Sequence, residues 1–410
     1  MVETVYEHPD WDIDAVTLKD GRPYAAYYTA DRDEVHYFDP AVRKQHTALR
    51  KALGDVEVWV PSRAKDGARM LVYAGNESDP GVLYMYEPAA KILKEMAQYR
   101  PALDFQKLAR PKPMQYSARD GAVIRGYLTL PRGREAKGLP LIIMPHGGPY
   151  GIRDKLAYND EVQLLANRGY AVLQPNFRGS GGYGEAFFEL GTGQIGRKMQ
   201  DDLDDAMDWA VKQGVTSKDQ VAIMGGSYGG YATLAGLTFT PDAFACGVDI
   251  VGPSNLNTLL STVPPYWASF FEQLAKRMGD PRTEDGKKWL TERSPLTRAD
   301  QIKKPLLIGQ GANDPRVKQA ESDQIVKAMQ AKNIPVTYVL FPDEGHGFAR
   351  PENNKAFNAV TEGFLAQCLG GRAEPIGNDL TGSSISVPTG ADGVLGLSEA
   401  LKRHTQEVKK

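Results

Sequence analysis

One serine of this chain lies among glycines at the end of an apolar run. In VAIMGGSYGG, residues 221–230, the segment 225–229 fits G-x-S-x-G, a pattern that places a nucleophilic serine on a sharp strand-to-helix turn. Glycines are needed because Cβ atoms two residues before and after Ser227 would collide with the elements that meet there. The N–H of Tyr228, at a helix N-terminus, would stabilise an oxyanion. A capping serine at a glycine-rich helix start is the alternative.

A serine hydroxyl is a weak nucleophile without a base, and in this arrangement the histidine follows the serine in the chain. Of the six histidines, only His346 and His404 lie after Ser227. His404 lies in a charged C-terminal stretch and is predicted to be solvated. His346 lies in PDEGHGF, where flanking glycines allow a loop to carry the ring over the sheet edge. We predict His346 as the base; a turn histidine without catalytic role is the alternative.

The acid of such a triad is expected between the serine and the histidine, after a strand. Asp314 lies in GQGANDPRV, directly after the apolar run PLLIG, and is predicted to orient the imidazole and stabilise its protonated form. Asp249 is a competitor inside the run GVDIVG. Asp343 and Glu344 are competitors too close in sequence to the histidine to face its ring easily.

A second oxyanion donor is expected from the loop after an earlier strand. HGGP, residues 146–149, follows the run LIIMP, and its glycines permit close approach of backbone to substrate. We predict Gly148 as the donor beside Tyr228, with Gly147 as the one-residue alternative. His146 is predicted to form hydrogen bonds within the loop.

Four further residues are candidates for substrate binding. Arg178 would either hold its loop through an ion pair or reach a substrate carbonyl. Tyr266, Trp267 and Phe270 would line an apolar acyl pocket, with ordinary helix packing as the alternative. The nearby segment 179–184 matches G-x-G-x-x-G. Residues 176–178 separate it from its predicted strand, which argues against dinucleotide binding. No cofactor or metal site is predicted.

The elements that must position these residues form an α/β pattern from about residue 115. Apolar runs alternate with amphipathic helical patterns, which predicts a mostly parallel sheet covered by helices on both faces. We divide the chain into a β region (1–112), this catalytic domain (113–372) and a tail (373–410). The tail is predicted to be extended, with a short terminal helix, and to lie on the surface or on a partner chain.

The first 110 or so residues are predicted to be strands and turns containing an internal repeat. KDG at 19–21 recurs at 65–67, and YFDPA at 37–41 recurs as MYEPA at 85–89, a shift of 48 residues. This period is typical of β-propeller blades, so the region resembles about two blades. A coincidence of common turn residues is the alternative.

Composition excludes several classes of protein. The formal net charge of −2 gives no basic excess for nucleic acid and no general attraction to anionic membranes. No apolar run approaches the length of a membrane span, and no signal peptide is visible at the start. We therefore expect a cytoplasmic protein if Met1 is the natural start; otherwise its location is unknown. Cys246 and Cys368 are predicted to be buried free thiols.

Five segments in this order resemble the catalytic domain of the prolyl oligopeptidase family, in particular its acylaminoacyl-peptidase and dipeptidyl-peptidase-like branch. They are HGGP (146–149), NFRGSGGYG (176–184), GGSYGG (225–230), NDPRV (313–317) and EGHGF (344–348). The resemblance implies an α/β-hydrolase fold, Ser227 as nucleophile, and Asp314 and His346 as its partners. It also implies an oxyanion hole formed by Tyr228 with the Gly147–Gly148 loop.

The family carries a full N-terminal propeller, whereas only about two blades of sequence precede the hydrolase here. We therefore expect either a homo-oligomer or association with a missing propeller segment. The leading interpretation is a serine peptidase that cleaves short peptides or acylated amino acids through an acyl-enzyme. A carboxylesterase acting on small acyl esters and an inactive hydrolase-fold binding protein are the alternatives.

Overall fold

The N-terminal region contains two small antiparallel sheets. The computed structural model describes residues 3–263 and 267–408. The first sheet has the order β1 (Ile13–Lys19), β2 (Arg22–Thr29) and β3 (Asp33–Tyr37). The second has the order β4 (Glu57–Arg63), β5 (Met70–Asn76), β6 (Asp79–Glu87) and β7 (Ile92–Gln98). Together they form the partial propeller that the repeat predicts.

The repeated segments occupy equivalent positions in the two sheets. Both KDG segments lie in the turn between the first and second strands of their sheet. YFDPA and MYEPA both lie at the end of the third strand of their sheet. The fourth strand of the second sheet has no counterpart in the first, where helix α1 (Pro40–Leu53) follows β3. The prediction of strands and turns alone was wrong here. Asp39 begins this helix by accepting the N–H groups of Ala41 and Val42, with proline at the first helical position.

A nine-stranded sheet forms the catalytic domain, in the order β16-β15-β14-β13-β12-β10-β11-β9-β8. Strands β10 to β15 are mutually parallel, and β8, β9 and β16 add antiparallel pairs at the two edges. The strands are β8 (Lys112–Ser117), β9 (Val123–Thr129), β10 (Leu141–Ile143), β11 (Ala171–Asn176), β12 (Val221–Gly226), β13 (Cys246–Ile250), β14 (Leu306–Gly311), β15 (Thr337–Phe341) and β16 (Ser386–Thr389).

Helices cover both faces of this sheet. The helices are α2 (Asp160–Asn167), α3 (Glu185–Glu189), α4 (Lys198–Lys212), α5 (Tyr228–Phe239), α6 (Leu256–Ser261), α7 (Ala268–Met278), α8 (Glu284–Glu292), α9 (Gln319–Gln330), α10 (Pro351–Leu369) and α11 (Leu397–Val408). Leu141 and Ile143 face one hydrophobic core, and Ile142 between them faces the other. Because both faces are buried, the central strands are apolar throughout rather than alternating. No helix within the described residues is long and apolar enough to cross a membrane.

The C-terminal tail is part of the catalytic domain, which corrects the prediction of a surface segment. Strand β16 pairs with the edge strand β15. Ile376 and Leu380 are buried in the core beneath α10, and Leu397 of α11 is fully buried there as well. These few apolar residues are spread through a Gly- and Ser-rich sequence, where no periodicity shows that they are buried together.

The prediction of free thiols was wrong, because Cys246 and Cys368 form a disulfide with a Cα–Cα distance of 6.4 Å. The bond joins β13 to α10 across one face of the sheet. The two residues are 122 positions apart, so their spacing carries no signal of pairing.

Cys368→Ser is expected to lower the free energy of unfolding by about 2–5 kcal/mol, because the bond restricts a long loop in the unfolded chain. Urea unfolding of the variant and of wild type, with and without dithiothreitol, measures the effect. Dithiothreitol should destabilise wild type to the level of the variant and leave the variant unchanged. An identical urea midpoint for the two proteins without reductant would show that the bond does not form.

Candidate active site

Ser227 lies on a tight turn between β12 and α5. Its φ is +58°, in the left-handed region that a non-glycine residue seldom occupies. A Cβ atom on Gly229 would lie 2.3 Å from the carbonyl oxygen of Pro145, and one on Gly225 would lie 2.7 Å from the same oxygen. A Cβ on Gly226 would meet nothing closer than 3.9 Å. The two outer glycines of the pattern are therefore required by the backbone that closes around the serine.

The serine hydroxyl is the first member of a hydrogen-bonded chain of three side chains. His346 Nε2 lies 3.0 Å from Ser227 Oγ, and His346 Nδ1 lies 2.6 Å from Asp314 Oδ2. The side chain of Asp314 is completely buried, and its Oδ1 accepts the backbone N–H groups of Arg316 (2.8 Å) and Val317 (2.9 Å). Because these N–H groups fix the carboxylate, Nδ1 of the histidine carries the proton and Nε2 is left to accept one from the serine.

The competing acids do not reach the histidine. Asp249 is fully buried, one of its oxygens accepts the N–H of Gly252 at 2.8 Å, and the other has no hydrogen-bond partner within the described residues. Burial raises the pKa of Asp249 well above its usual range, which disfavours its charged form.

Asp343 and Glu344 serve the loop that carries the histidine. Asp343 is bound by Arg350, Asn353 and the hydroxyl of Ser384. Glu344 is buried, and its carboxylate accepts the backbone N–H groups of residues 349 and 350 at 3.0 and 2.8 Å. These contacts attach the loop to the N-terminus of α10, where negative charge is favourable.

The glycine loop after β10 lies against Ser227. A Cβ atom on Gly147 would lie 3.5 Å from the Cβ of Ser227, and Gly148 has a φ of +127° and precedes a cis proline. Tyr228 is the first residue of α5, so its N–H is among those without an acceptor inside the helix. Backbone from both segments therefore lines the cavity at Ser227.

His146 holds this loop in place. Its Nδ1 donates to the carbonyl oxygen of Gly147 at 2.7 Å, its Nε2 lies 2.8 Å from Ser180 Oγ, and its ring stacks on Phe177 at 4.3 Å. Burial lowers the pKa of His146 to about 4, so the ring is neutral at pH 7. Since both nitrogens are engaged, its role is structural, as predicted.

A cavity of about 480 Å³ opens at Ser227 and His346. Its walls are mostly apolar and include Trp267 and Phe270, the two predicted pocket residues that the structure describes. The third, Tyr266, lies outside the described residues. Further wall residues are Tyr150, Tyr231, Leu259, Leu274 and Met278. These residues come from the loop after β10 and from α5, α6 and α7, which surround the C-terminal end of β12.

A family model described as the prolyl oligopeptidase family matches residues 156–372, a stretch that includes all three hydrogen-bonded residues. The chain belongs to the prolyl oligopeptidase family. It is 68% identical to the dipeptidyl aminopeptidase BIII of Pseudoxanthomonas mexicana, over 92% of this chain and 56% of the relative. It is 44% identical to the dipeptidyl peptidase family member 6 of Caenorhabditis elegans, over 77% of this chain and 46% of that protein.

Solved structures of the prolyl oligopeptidase family share the architecture. A puromycin-hydrolyzing peptidase of Mycobacterium tuberculosis superposes with a TM-score of 0.70 at 26% identity, over 86% of this chain and 54% of the other. The chain thus spans about half the length of the relatives it matches.

Arg178 does not line the cavity, so its prediction as a substrate-binding residue was wrong. The side chain is 2% exposed. Its Nε and Nη2 donate to Asp202 at 2.9 and 2.7 Å, and its Nη1 donates to Asp120 at 2.8 Å. The ion pairs attach the loop after β11 to α4 and to the turn between β8 and β9. The alternative weighed from the sequence, an ion pair that holds the loop, is the one observed.

Arg316 is a cavity residue that the sequence analysis did not consider. Its guanidinium lies 5.6 Å from the centre of the Trp267 ring, and its side chain lines the cavity beside His346. The only available signal was its place two residues after Asp314, in the turn that must lie at the site. Within the described lining, it is the one permanently charged side chain.

Proposed function

We propose that this chain is the catalytic part of a serine peptidase that cleaves short peptides or acylated amino acids. The observation that supports the proposal is the hydrogen-bonded chain from Ser227 through His346 to Asp314 at the mouth of an apolar cavity. The family of the chain and the dipeptidyl aminopeptidase and puromycin-hydrolyzing relatives agree with amide hydrolysis.

In the proposed mechanism, Ser227 Oγ attacks the scissile carbonyl carbon while His346 Nε2 removes its proton. The resulting oxyanion accepts hydrogen bonds from the N–H of Tyr228 and from that of Gly148 or Gly147. His346 then donates its proton to the leaving amine, which departs and leaves an acyl-enzyme. Water, deprotonated by the same nitrogen, attacks the ester, and the proton returns to the serine oxygen when the acid product leaves.

The cavity favours a large apolar side chain next to the scissile bond. Its walls are aromatic and aliphatic, and no carboxylate side chain lines it within the described residues. A cationic side chain would therefore lose its hydration without gaining a partner. We propose that phenylalanine, tyrosine and leucine are preferred at this position over lysine and arginine.

A comparison of kcat/KM on matched aminoacyl p-nitroanilides and p-nitrophenyl esters tests the peptidase proposal against a carboxylesterase. A peptidase should hydrolyse both substrates, the ester faster because its leaving group departs more readily. Negligible anilide hydrolysis alongside rapid ester hydrolysis would favour the esterase. Labelling by a fluorophosphonate separates both from an inactive binding protein, which would not react.

Arg316→Gln is expected to lower kcat/KM on dipeptidyl anilides by roughly 10- to 100-fold, because the variant loses a charged donor to a substrate carbonyl. The loss should appear mainly in KM, and a simple acetate ester, which has no second carbonyl, should be affected little. Arg298→Gln is a matched control, since that exposed side chain lies over Phe239 and not in the cavity. Equal losses on anilide and acetate ester would contradict a role in peptide binding.

The assembly of the chain stays a prediction. Strands β1 and β7 end their sheets and are largely exposed, which leaves backbone groups able to pair with further strands. We propose either a homo-oligomer or association with a further propeller segment. Light scattering of the chain alone tests the first of these.

A further inference from the structure

A second cavity, of about 300 Å³, lies at the end of the parallel strands opposite the active site. Its walls come from the segment before β8, the loop between β9 and β10, the end of α2 and the residue after the turn that follows α10. The loop between β9 and β10 and the end of α2 precede the parallel strands β10 and β11, whereas the candidate active-site loops follow the carboxyl ends of the strands. None of its wall residues also lines the active-site cavity.

Basic side chains dominate this cavity. Five line it and no acidic side chain does, within the described residues: Lys107, Arg132, Arg134, Arg168 and Arg372. Glu135, the one acidic residue in the loop 131–138, is not among the wall residues. We call these five residues the basic cluster.

Two members of the basic cluster are already paired. Arg168 Nε lies 2.8 Å from Glu362, and its Nη2 lies 3.2 Å from Glu374. Lys107 lies 3.2 Å from Asp104, but both side chains are at least half exposed, so this pair is weak.

The other three have no carboxylate partner within the described residues. Arg372 donates to the backbone oxygen and side chain of Asn167, at 3.0 and 2.8 Å, which are neutral acceptors. Arg134 lies against Gly169, where its Nη1 is 3.7 Å from the position of a Cβ atom. Arg132 is exposed on the same loop and forms no ion pair with any residue that the structure describes. Three guanidinium groups around one small cavity repel one another unless an anion lies between them.

We propose that the basic cluster binds a small multivalent phosphate anion, such as the diphosphate group of a soluble metabolite. Guanidinium forks match phosphate oxygens in bidentate geometry, and the cavity is of a size to hold one or two phosphate groups. The anion neutralises Arg132, Arg134 and Arg372, which belong to two segments far apart in the sequence.

The proposed site also joins the two regions of the chain. Gln163 of α2 accepts the N–H of Ala109 and donates to its carbonyl oxygen, both at 2.9 Å, at the cavity wall. An anion that contacts Lys107 and the arginines would attach the segment before β8 more firmly to the hydrolase. Binding is therefore expected to raise the melting temperature of the chain.

Isothermal titration calorimetry with inorganic pyrophosphate tests the proposal, at constant ionic strength and with sulfate and chloride as comparison anions. We expect one saturable site with a Kd below about 1 mM and a higher melting temperature with pyrophosphate than with chloride. The double variant Arg132→Gln/Arg134→Gln should weaken binding by at least about tenfold. A titration with ADP distinguishes the sources: tighter binding than pyrophosphate indicates a nucleotide, and weaker binding indicates the anion alone.

The matched control is Arg22→Gln/Lys65→Gln, which also removes two positive charges, but from exposed positions in the N-terminal region. Binding should survive in this control and in Ser227→Ala, so the result does not depend on the proposed peptidase activity. Ester hydrolysis by the two double variants, and the circular dichroism spectrum of all three variants, show that each is folded. An absence of saturable binding to the wild type, or equal weakening in the two double variants, would overturn the proposal.

Discussion

Ser227→Ala should reduce kcat for anilide hydrolysis by a factor on the order of 10⁶, because the variant has no nucleophile to form an acyl-enzyme. Reaction with a fluorophosphonate should be abolished in the same variant. The hydroxyl contributes little to folding, since the backbone of residue 227 is held by its own bonds: its N–H donates to the oxygen of Ile250 at 2.8 Å, and its oxygen accepts the N–H of Tyr231 at 3.0 Å. The melting temperature should therefore change by no more than a few degrees.

Kinetics on a dipeptidyl p-nitroanilide and gel-based labelling measure these effects. Ser261→Ala is the matched control, because Ser261 is exposed and its hydroxyl, among the described residues, donates to the oxygen of Thr258 alone. Its activity and labelling should equal those of the wild type. Persistent labelling of the Ser227 variant would place the nucleophile elsewhere.

Asp314→Asn should reduce kcat at neutral pH by roughly 10⁴-fold. Oδ1 of residue 314 accepts two backbone N–H groups, so an asparagine keeps its oxygen there and places its NH₂ group toward His346. That group donates to Nδ1 and moves the imidazole proton to Nε2. The histidine then presents a proton to Ser227 and has no lone pair to accept one.

Asp249→Asn tests the competing assignment of the acid. Asp249 accepts the N–H of Gly252 and does not contact the histidine, so its variant should retain kcat within about tenfold, the range of an indirect effect on the nearby turn. The pH dependence of kcat, measured for both variants and wild type, completes the comparison. If Asp249→Asn loses more activity than Asp314→Asn, the proposed assignment of the acid fails.

The residues brought together at the site were predictable because their motifs rest on short-range constraints. Ser227 needs small neighbours on a turn, and collisions of a Cβ with Pro145 express that need in the local sequence. Asp314 and His346 each follow an apolar strand of a parallel sheet, and the carboxyl ends of such strands share one edge. The chain order of the three residues then leaves few alternatives.

The partners of charged and apolar residues were harder to predict. Arg178 and Asp202 form a buried pair, although the sequence alone also left open a contact between Arg178 and the substrate. Helix α1 lies in a region where the sequence predicted only strands and turns. Its start depends on the single cap residue Asp39. Arg316 lies in the cavity because its turn points the side chain there, which residue type does not determine.

The sequence by itself determined the α/β order, the repeat in the N-terminal region and the turn that exposes the serine, because strand burial and steric limits act over a few neighbouring residues. Only the tertiary structure decided that Cys246 meets Cys368, that the tail adds strand β16, and that four arginines line one cavity. These contacts join residues that are distant in the chain, and their free energy comes from packing and charge at positions that no local pattern specifies.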